Sequence, residues 1–503
     1  MAELQERTRV EELTLALPVE EAVEQLLALN PRIIGFGVYI WNAVKTLEAV
    51  RLLQSVAPDV TLVVGGPEVS FDVHDQPLCK EADYVVTGQA DQSFAALCSD
   101  LLVGKKPPNK LVSSLPLELS TIASPYPWYS TADLANRLVY VEASRGCPFK
   151  CEFCLSSLDK TATPFPLDAF LADMQGLLER GAQHFKFVDR TFNLKVDTCI
   201  AILDFFLQYL PGGEKSRPGA TDKIFLHFEL IPDRLPTRLK DKLLEFPDGV
   251  LQFEIGIQSF NPEVQQLISR RQDMDKTLSN MTWLRENTQA HIHADLIFGL
   301  PGESLESFAK GFNQLFALQP QEIQLGILKM LRGTPIARHS DAFGMVYQSE
   351  PPYRILKNDL LEFKTVQRIS RFARYWDLVA NSGRFNLSLP LLLGDSPFER
   401  FLGLSDWLYE TTGQTHKIAL PRLFRLLAKA ADELFADRNS ADPDSGFSMP
   451  DGLEQFHHAL QTDYSNAGFS GSLPAASAEQ AEDVSSGRKK LRQKHHLLST
   501  RGF

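Results

Sequence analysis

The sequence predicts an α/β protein: a truncated doubly wound, Rossmann-like N-terminal domain, then a partial (β/α)6 barrel of the TIM type, then a mainly helical C-terminal domain. Three observations predict this order. Short apolar strands alternate with helical patterns over the first hundred residues. The alternation restarts near Leu138 with six longer units. Beyond about residue 340 the patterns are helical and rich in aromatic residues.

Composition excludes several classes of protein. A chain of 503 residues is too long to fold around one hydrophobic core. Its content of 44% hydrophobic and 23% charged residues excludes a collagen, a coiled coil or a chain that is disordered throughout. The net charge of −12 disfavours nucleic acid as the main partner. The N-terminus lacks an apolar secretory segment, and glycines interrupt the longest apolar run, 33–44. We therefore expect a cytoplasmic protein without a membrane partner.

Residues 1–105 carry the βαβ rhythm of an open parallel sheet. Strands are predicted at 32–38, 60–64 and 84–86, with helices at 18–29 and 43–56. Ligands of such sheets lie beyond the carboxyl ends of the strands, where the turns at 39–42, 65–67 and Gly88 fall. Residues 106–135 are rich in Pro and Ser and are predicted to be a linker.

Residues 136–340 are predicted to form the barrel, because six strands alternate with helices. These strands are predicted at 138–143, 184–188, 224–230, 250–257, 291–298 and 322–328. Residues 341–465 form the helical domain, whose Tyr353, Trp376, Asn381 and Arg384 either line a pocket or belong to its core. Residues 466–503, which end in a basic segment, are predicted to be disordered.

Three of the six cysteines, Cys147, Cys151 and Cys154, fall within eight residues at x3 and x2 spacing, directly after a predicted strand. In a reducing compartment such a cluster favours metal binding over disulfides. Two metals are open at this point. A structural zinc needs a fourth ligand, with His184 and His227 as candidates. A four-iron cluster keeps one iron open for a substrate or cosubstrate.

The spacing C-x3-C-x2-C after the first barrel strand, with an aromatic residue before the last cysteine, resembles the signature of radical S-adenosylmethionine (SAM) enzymes. This resemblance implies a catalytic [4Fe–4S] cluster on Cys147, Cys151 and Cys154, with SAM on the fourth iron. It also implies an electron donor such as flavodoxin or ferredoxin. Reduction would cleave SAM to methionine and a 5′-deoxyadenosyl radical.

Polar residues also follow the later strands, where barrel active sites gather. Each alone is typical of an ordinary strand end. The motifs HFEL, EIGIQSFNPEVQQLISR and ADLIFGLPGE resemble the coproporphyrinogen dehydrogenase branch of radical SAM enzymes. The resemblance implies that SAM is bound by Phe153, Glu229, Gln258, Arg270 and Asp295. The glycine pair and Glu that commonly follow the second strand are replaced by Asp189, Arg190 and Thr191, which take that place.

The N-terminal motifs GFGVYIWN, VVGGPEVS and DYVVTGQADQS resemble the cobalamin-binding domain that precedes many radical SAM barrels. The resemblance implies that Gly65, Gly66 and Gly88 face the corrin. This chain has no D-x-H-x-x-G motif for an axial histidine, and His74 lies in a polar loop. The region after the barrel resembles an uncharacterised domain of the same group.

The leading hypothesis is a radical SAM enzyme that activates a C–H bond and, with cobalamin, transfers a methyl group. The first alternative uses SAM alone for oxidation, rearrangement or thiolation. The second is a non-catalytic, zinc-stabilised protein that binds nucleotide or RNA. The substrate is not predictable from the sequence, because barrel loops vary freely.

Overall fold

The computed structural model describes residue 4 and residues 6–114, 117–215, 224–435 and 452–473. They divide into two compact units. The first unit comprises Met1–Ile224, Lys329–Ser340 and Tyr347–Arg354, and the second comprises Phe225–Leu328, Asp341–Val346 and Ile355–Phe503. Most of the predicted disordered tail, 474–503, lies outside the described residues.

A four-stranded parallel sheet begins the first unit. Its strands β1 (Ile33–Gly37), β2 (Thr61–Gly65), β3 (Tyr84–Thr87) and β4 (Leu111–Ser113) lie in that order. The surrounding helices are Val19–Leu27, Ala43–Val56, Pro77–Glu81 and Asp91–Leu102. β4 lies within the stretch that the sequence predicts as a linker. Its signal is weak because the strand has three residues and only Val112 is partly buried.

Apolar runs bury the middle of this sheet. Val63, Val64, Val85 and Val86 are at most 1% exposed. Strands of a parallel sheet are covered by helices on both faces, so they are apolar throughout rather than alternating. The carboxyl ends of β2 and β3 are left as the polar, glycine-containing turns.

A second sheet has six parallel strands, as the sequence predicts. In chain order they are β5 (Val139–Val141), β8 (His184–Phe187), β9 (Phe225–Leu230), β10 (Leu251–Gln258), β11 (His291–Phe298) and β12 (Glu322–Ile327). The sheet order is β12-β11-β10-β9-β8-β5. The alternating helices are Leu167–Glu179, Val196–Leu207, Thr237–Leu243, Pro262–Leu267, Met274–Asn287 and Leu305–Ala317. Two short strands, β6 (Ser144–Arg145) and β7 (Thr163–Pro164), pair antiparallel in the first unit.

Alternation within the strands of the second unit decides which side chains face the helices. In β10, Leu251, Phe253 and Ile255 are buried, whereas Gln252 and Glu254 on the opposite face are partly exposed. This period of two is typical of a strand with one apolar and one polar face. The polar face therefore presents titratable side chains on one side of the sheet.

In the described part of the second unit, five further helices follow: Phe363–Val379, Ser388–Leu393, Pro397–Thr412, Leu420–Phe435 and Gly452–Asn466. Trp376, considered above as a pocket residue, belongs to their aromatic core and contacts Phe312 and Phe401 at ring distances of 4.8 Å. Asn381 exchanges two 3.1 Å hydrogen bonds with the backbone of Ile323. Among the described residues, every helix is too short or too polar to cross a membrane.

The aromatic core yields a test with a matched control in one helix. Phe372 is fully buried against Phe398 and Phe401, each at 5.0 Å between ring centres, whereas Phe363 is 54% exposed. Phe372→Ala should lower the free energy of unfolding by about 3–5 kcal/mol, because it leaves a cavity. Phe363→Ala should change it by less than about 1 kcal/mol. Guanidinium titration would measure both, and equal losses would contradict this packing.

Candidate functional site

The three clustered cysteines lie on one loop between β6 and β7, which we call the cysteine loop (residues 146–162). The antiparallel pairing of β6 with β7 closes its base. Gly146 begins the loop with φ +93°, and a Cβ atom there would lie 2.3 Å from the carbonyl oxygen of Thr161. Only glycine fits this turn.

Hydrogen bonds within the loop hold its backbone. The N–H of Cys147 donates to the carbonyl of Asp159, and the N–H of Cys154 donates to that of Cys151, both at 3.1 Å. Cys147 and Cys151 are buried, and Cys154 is half-buried. The loop therefore presents three thiols from a fixed backbone directly after the first strand of the second sheet.

The donor set of the cysteine loop fits a three-thiolate cofactor. Burial, together with the neighbouring thiols, raises the pKa of Cys147 to about 11. A thiolate here therefore needs a nearby cation, such as iron. Within the described ranges, no three His, Cys, Asp or Glu side chains lie close enough together to bind a metal ion, and this includes the three thiols of the cysteine loop. The fit to a three-thiolate cofactor therefore rests on the chemistry of the donors and their place on one loop. His227, a candidate zinc ligand, pairs instead with Glu254 at 3.0 Å within the second unit.

A buried carboxylate anchors the loop between its last two cysteines. Glu152 is 3% exposed and binds both Arg338, at 2.8 Å from Nε, and His339, at 2.9 Å from Nε2. Its carbonyl accepts a 3.0 Å hydrogen bond from the N–H of Ile336. Sequence reasoning missed this anchor, because its partners lie 186 and 187 residues away.

The start of the loop is anchored to the N-terminal sheet. Arg145, next to Gly146, binds Glu142 through two nitrogens at 2.9 and 2.8 Å and Asp91 at 3.1 Å. Asp91 begins the helix that follows the Gly88 turn. These contacts join that turn to the cysteine loop within the first unit.

The predicted residues after β8 have different surroundings. Asp189 is 1% exposed and accepts hydrogen bonds from the N–H of Ala143 at 2.9 Å and the hydroxyl of Ser144 at 2.6 Å. Burial raises its pKa to about 6 despite these bonds. Asp189 thus joins the end of β8 to the segment between β5 and the cysteine loop. Thr191 has a buried hydroxyl without a hydrogen-bond partner and lines a small pocket with Asp189 and Ser144, while Arg190 is exposed.

The structure brings two of the predicted SAM residues together in the second unit. Gln258 ends β10 with φ +73°, and its Oε1 is buried without a hydrogen-bond partner. The Arg270 guanidinium donates to the carbonyl of Gly256. A Cβ atom at Gly256 would lie 2.5 Å from Gln258 Nε2 and 3.3 Å from Arg270 Nη2. The missing side chain therefore leaves room for both polar groups.

Glu229 and Asp295 lie on the strands of the second unit among histidines and carboxylates that sequence reasoning missed. Glu229 is in register with Glu254, which is in register with His293. His293 lies 3.1 Å from Asp295. Burial alone would lower the pKa of His293, but the surrounding carboxylates raise it to about 9. His293 and Asp295 are two residues apart on one strand, so the strand period of two would have predicted that their side chains lie on the same face of the sheet.

The predicted cobalamin-facing glycines lie at the carboxyl ends of β2 and β3. A Cβ atom at Gly66 (φ +113°) would lie 2.6 Å from the Val38 carbonyl oxygen, and the N–H of Gly88 (φ +73°) donates to Ser70 at 3.1 Å. Beside Gly65 and Gly66, the buried Glu68 binds Arg332 at 3.3 Å. It also accepts a hydrogen bond from the Tyr353 hydroxyl, so Tyr353 has a structural role here.

Three family models match consecutive stretches of the sequence. Residues 141–315, which begin at the end of β5 and include the cysteine loop, match the radical SAM superfamily. The chain contains a radical SAM domain. Residues 3–98 match the B12 binding domain, and residues 341–500 match a protein of unknown function, DUF4080. These matches confirm the resemblances to radical SAM enzymes, to the cobalamin-binding domain and to the uncharacterised domain after the barrel, while the exact domain boundaries stay predictions.

Individual proteins agree with the radical SAM domain. The chain is 31% identical to oxygen-independent coproporphyrinogen III oxidase of Paracoccus denitrificans over 97 residues, 19% of this chain and 21% of that protein. It is 24% identical to the cobalamin-dependent radical SAM methyltransferase TokK of Streptomyces tokunonensis over 358 residues, 63% of this chain and 50% of TokK. The chain thus spans half or less of the length of these two curated relatives.

A solved structure shows a similar fold. The cobalamin-dependent SAM radical enzyme OxsB, with aqua-cobalamin and SAM bound, superposes with a TM-score of 0.55 at 14% identity. The match covers 90% of this chain and 78% of OxsB. At this identity the likeness confirms the α/β architecture predicted for the radical SAM domain and its neighbours.

The raised pKa of Asp189 predicts that the effect of replacing this residue on stability depends on pH. Its folded-state pKa of about 6 exceeds the ordinary carboxyl value. The folded protein therefore holds this proton more tightly, and the group lowers wild-type stability as pH rises from about 4 to about 6. Asp189→Asn keeps an acceptor oxygen without the charge, so it should stabilise the protein by about 1–3 kcal/mol at pH 7.5 and little at pH 4.5.

Thermal unfolding at both pH values would check this expectation. Asp248→Asn, which changes an exposed loop residue, should show no such pH-dependent gain. An equal loss of stability for Asp189→Asn at both pH values would contradict a carboxyl group that is unfavourable when charged.

Proposed function

We propose that this chain is a radical SAM enzyme that cleaves SAM reductively at a [4Fe–4S] cluster and, with cobalamin, transfers a methyl group to an unactivated carbon. The observation that carries the proposal is the cysteine loop. Its backbone is held by hydrogen bonds, and it carries three thiols between β6 and β7, shortly after β5, the first strand of the six-stranded sheet. Three protein ligands leave the fourth iron of such a cluster open.

Cys147, Cys151 and Cys154 would hold three irons. A bound cluster supplies the one electron that splits SAM into methionine and a 5′-deoxyadenosyl radical. Burial of Cys147 and Cys151 keeps water away from the thiolates. The electron would come from a flavodoxin or ferredoxin, as is typical of radical SAM enzymes.

The remaining predicted residues would bind SAM. Gln258 and Arg270 offer an amide and a guanidinium at the end of β10, which suits the methionine carboxylate. The buried, unpaired Oε1 of Gln258 supports a ligand that brings a hydrogen-bond donor, such as the methionine ammonium group of SAM, because an acceptor without a partner costs free energy. Glu229 and Asp295 would bind the ribose and adenosine, and the Phe153 backbone would cover the adenine.

Two comparisons support methyl transfer. Residues 3–98 match the B12 binding domain, and TokK is a cobalamin-dependent methyltransferase. The backbone turns at Gly65, Gly66 and Gly88 suit a ligand lying along the carboxyl edge of the sheet. His74, the one histidine before residue 184, is exposed in a loop and is therefore not held in place as an axial ligand for the cobalt. The proposal is therefore cobalamin bound without an axial protein histidine.

Replacement of the three cysteines tests the cluster. The variant with Cys147, Cys151 and Cys154 changed to Ala should lose reconstituted iron and essentially all formation of 5′-deoxyadenosine, because no ligands remain. Both are measurable after anaerobic reconstitution with iron and sulfide, followed by dithionite and SAM. Cys98→Ala, which alters a half-buried cysteine outside the loop, should keep both properties.

Two results would overturn this assignment. One is iron content that persists in the triple variant. The other is a colourless wild-type protein that binds zinc and does not cleave SAM, which would favour a structural metal site instead.

Cobalamin binding has a test of its own. The wild-type protein should retain cobalamin through gel filtration, and the Co(II) EPR spectrum should show no nitrogen splitting from histidine. His74→Ala should leave retention unchanged. Gly66→Ala forces a Cβ atom against Val38 at positive φ, so it should weaken binding about tenfold or more.

Loss of cobalamin from the His74→Ala variant would contradict binding without an axial protein histidine. No retention by the wild-type protein, together with SAM cleavage, would favour the enzyme that uses SAM alone.

A further inference from the structure

We propose that Glu152 is a positioning residue for the iron–sulfur cluster, acting through Arg338 and His339 of the segment that follows β12. This inference rests on the proposed function, since it concerns the loop that would hold the cluster. Glu152 lies between Cys151 and Cys154, so whatever restrains its side chain also restrains the backbone between two ligands.

The contacts of Glu152 are those of a carboxylate held at both oxygens. Arg338 binds Oε1 and Oε2 together, the second at 2.8 Å, and His339 approaches Oε2 at 2.9 Å. Paired contacts of this kind between a guanidinium and a carboxylate fix orientation as well as distance. The Glu152 side chain is 4% exposed, whereas that of Arg338 is 62% exposed.

A third contact restrains the backbone of Glu152 as well as its side chain. The Ile336 N–H donates to the Glu152 carbonyl at 3.0 Å. Pro335–His339 is a single short helical turn, so Ile336, Arg338 and His339 reach Glu152 as one rigid element. The turn thus holds the Glu152 side chain and main chain at once.

The same segment also reaches the N-terminal sheet. Six residues before Arg338, Arg332 binds the buried Glu68 in the turn after β2. Gly333 allows this approach, because a Cβ atom there would lie 2.4 Å from the ring of Phe71. The turn that holds Glu152 is therefore itself anchored, which a positioning element requires.

Glu152 is not one of the three proposed cluster ligands, so removing its charge should loosen the ligands without deleting one. Loss of such outer contacts typically weakens metal binding 10–100-fold. Glu152→Gln and Arg338→Gln should each raise the rate of iron release to a chelator about tenfold. The double variant should be no worse than the more affected single variant, because both single changes break one interaction.

The experiment uses the full chain, reconstituted anaerobically with iron and sulfide. Iron release, the EPR spectrum of the reduced cluster with and without SAM, and the thermal unfolding temperature are measured for each variant. Lys150→Gln is the matched control, because Lys150 is exposed in the same loop. It should behave like wild type. Arg338→Gln carries the test if Glu152→Gln does not fold.

Altered EPR spectra and faster iron release in both single variants, with Lys150→Gln unchanged, would support the positioning role. Lower unfolding temperatures with wild-type EPR spectra and iron release would overturn it, because Glu152 would then serve stability alone. A wild-type protein without a cluster would overturn the proposed function itself. A wild-type cluster that is indifferent to both variants would overturn only this inference.

Discussion

Buried carboxyl groups connect distant segments of the first compact unit, because a polar group removed from water needs charged or hydrogen-bonding partners. Glu68, Glu152 and Asp189 are each at most 3% exposed, and each joins segments that are distant in the chain. Apolar contacts are not directional, so alone they would not fix the position of one loop relative to its neighbour. The carboxylates define which backbone atoms meet, and the position of the cysteine loop depends on them.

Periodicity made most of the architecture predictable. Val85 and Val86, or Phe253 and Ile255, belong to apolar patterns that a buried strand requires, so the strands lie within a residue or two of their expected bounds. The three cysteines were predictable for a different reason. Their spacing is local in sequence and reflects chemistry at one loop, which the radical SAM family match covers.

What could not be predicted depends on contacts between distant residues. The partners of Glu152 follow it by 186 and 187 residues, and no local pattern distinguishes a glutamate that will be buried. Trp376 illustrates the converse. An aromatic residue among basic neighbours suits either a pocket or a core, and only packing against Phe312 shows which it is. The roles of the SAM residues stay predictions, since geometry alone does not show what they bind.

The segment after β12 has an evolutionary consequence. Arg332 and Arg338 engage different parts of the first unit from positions six residues apart, one at Glu68 and the other at Glu152. An insertion or deletion between them would shift one anchor relative to the other. Loops usually drift in length among homologues. This one should keep a constant length wherever both acidic partners are retained, even where the surrounding residues diverge.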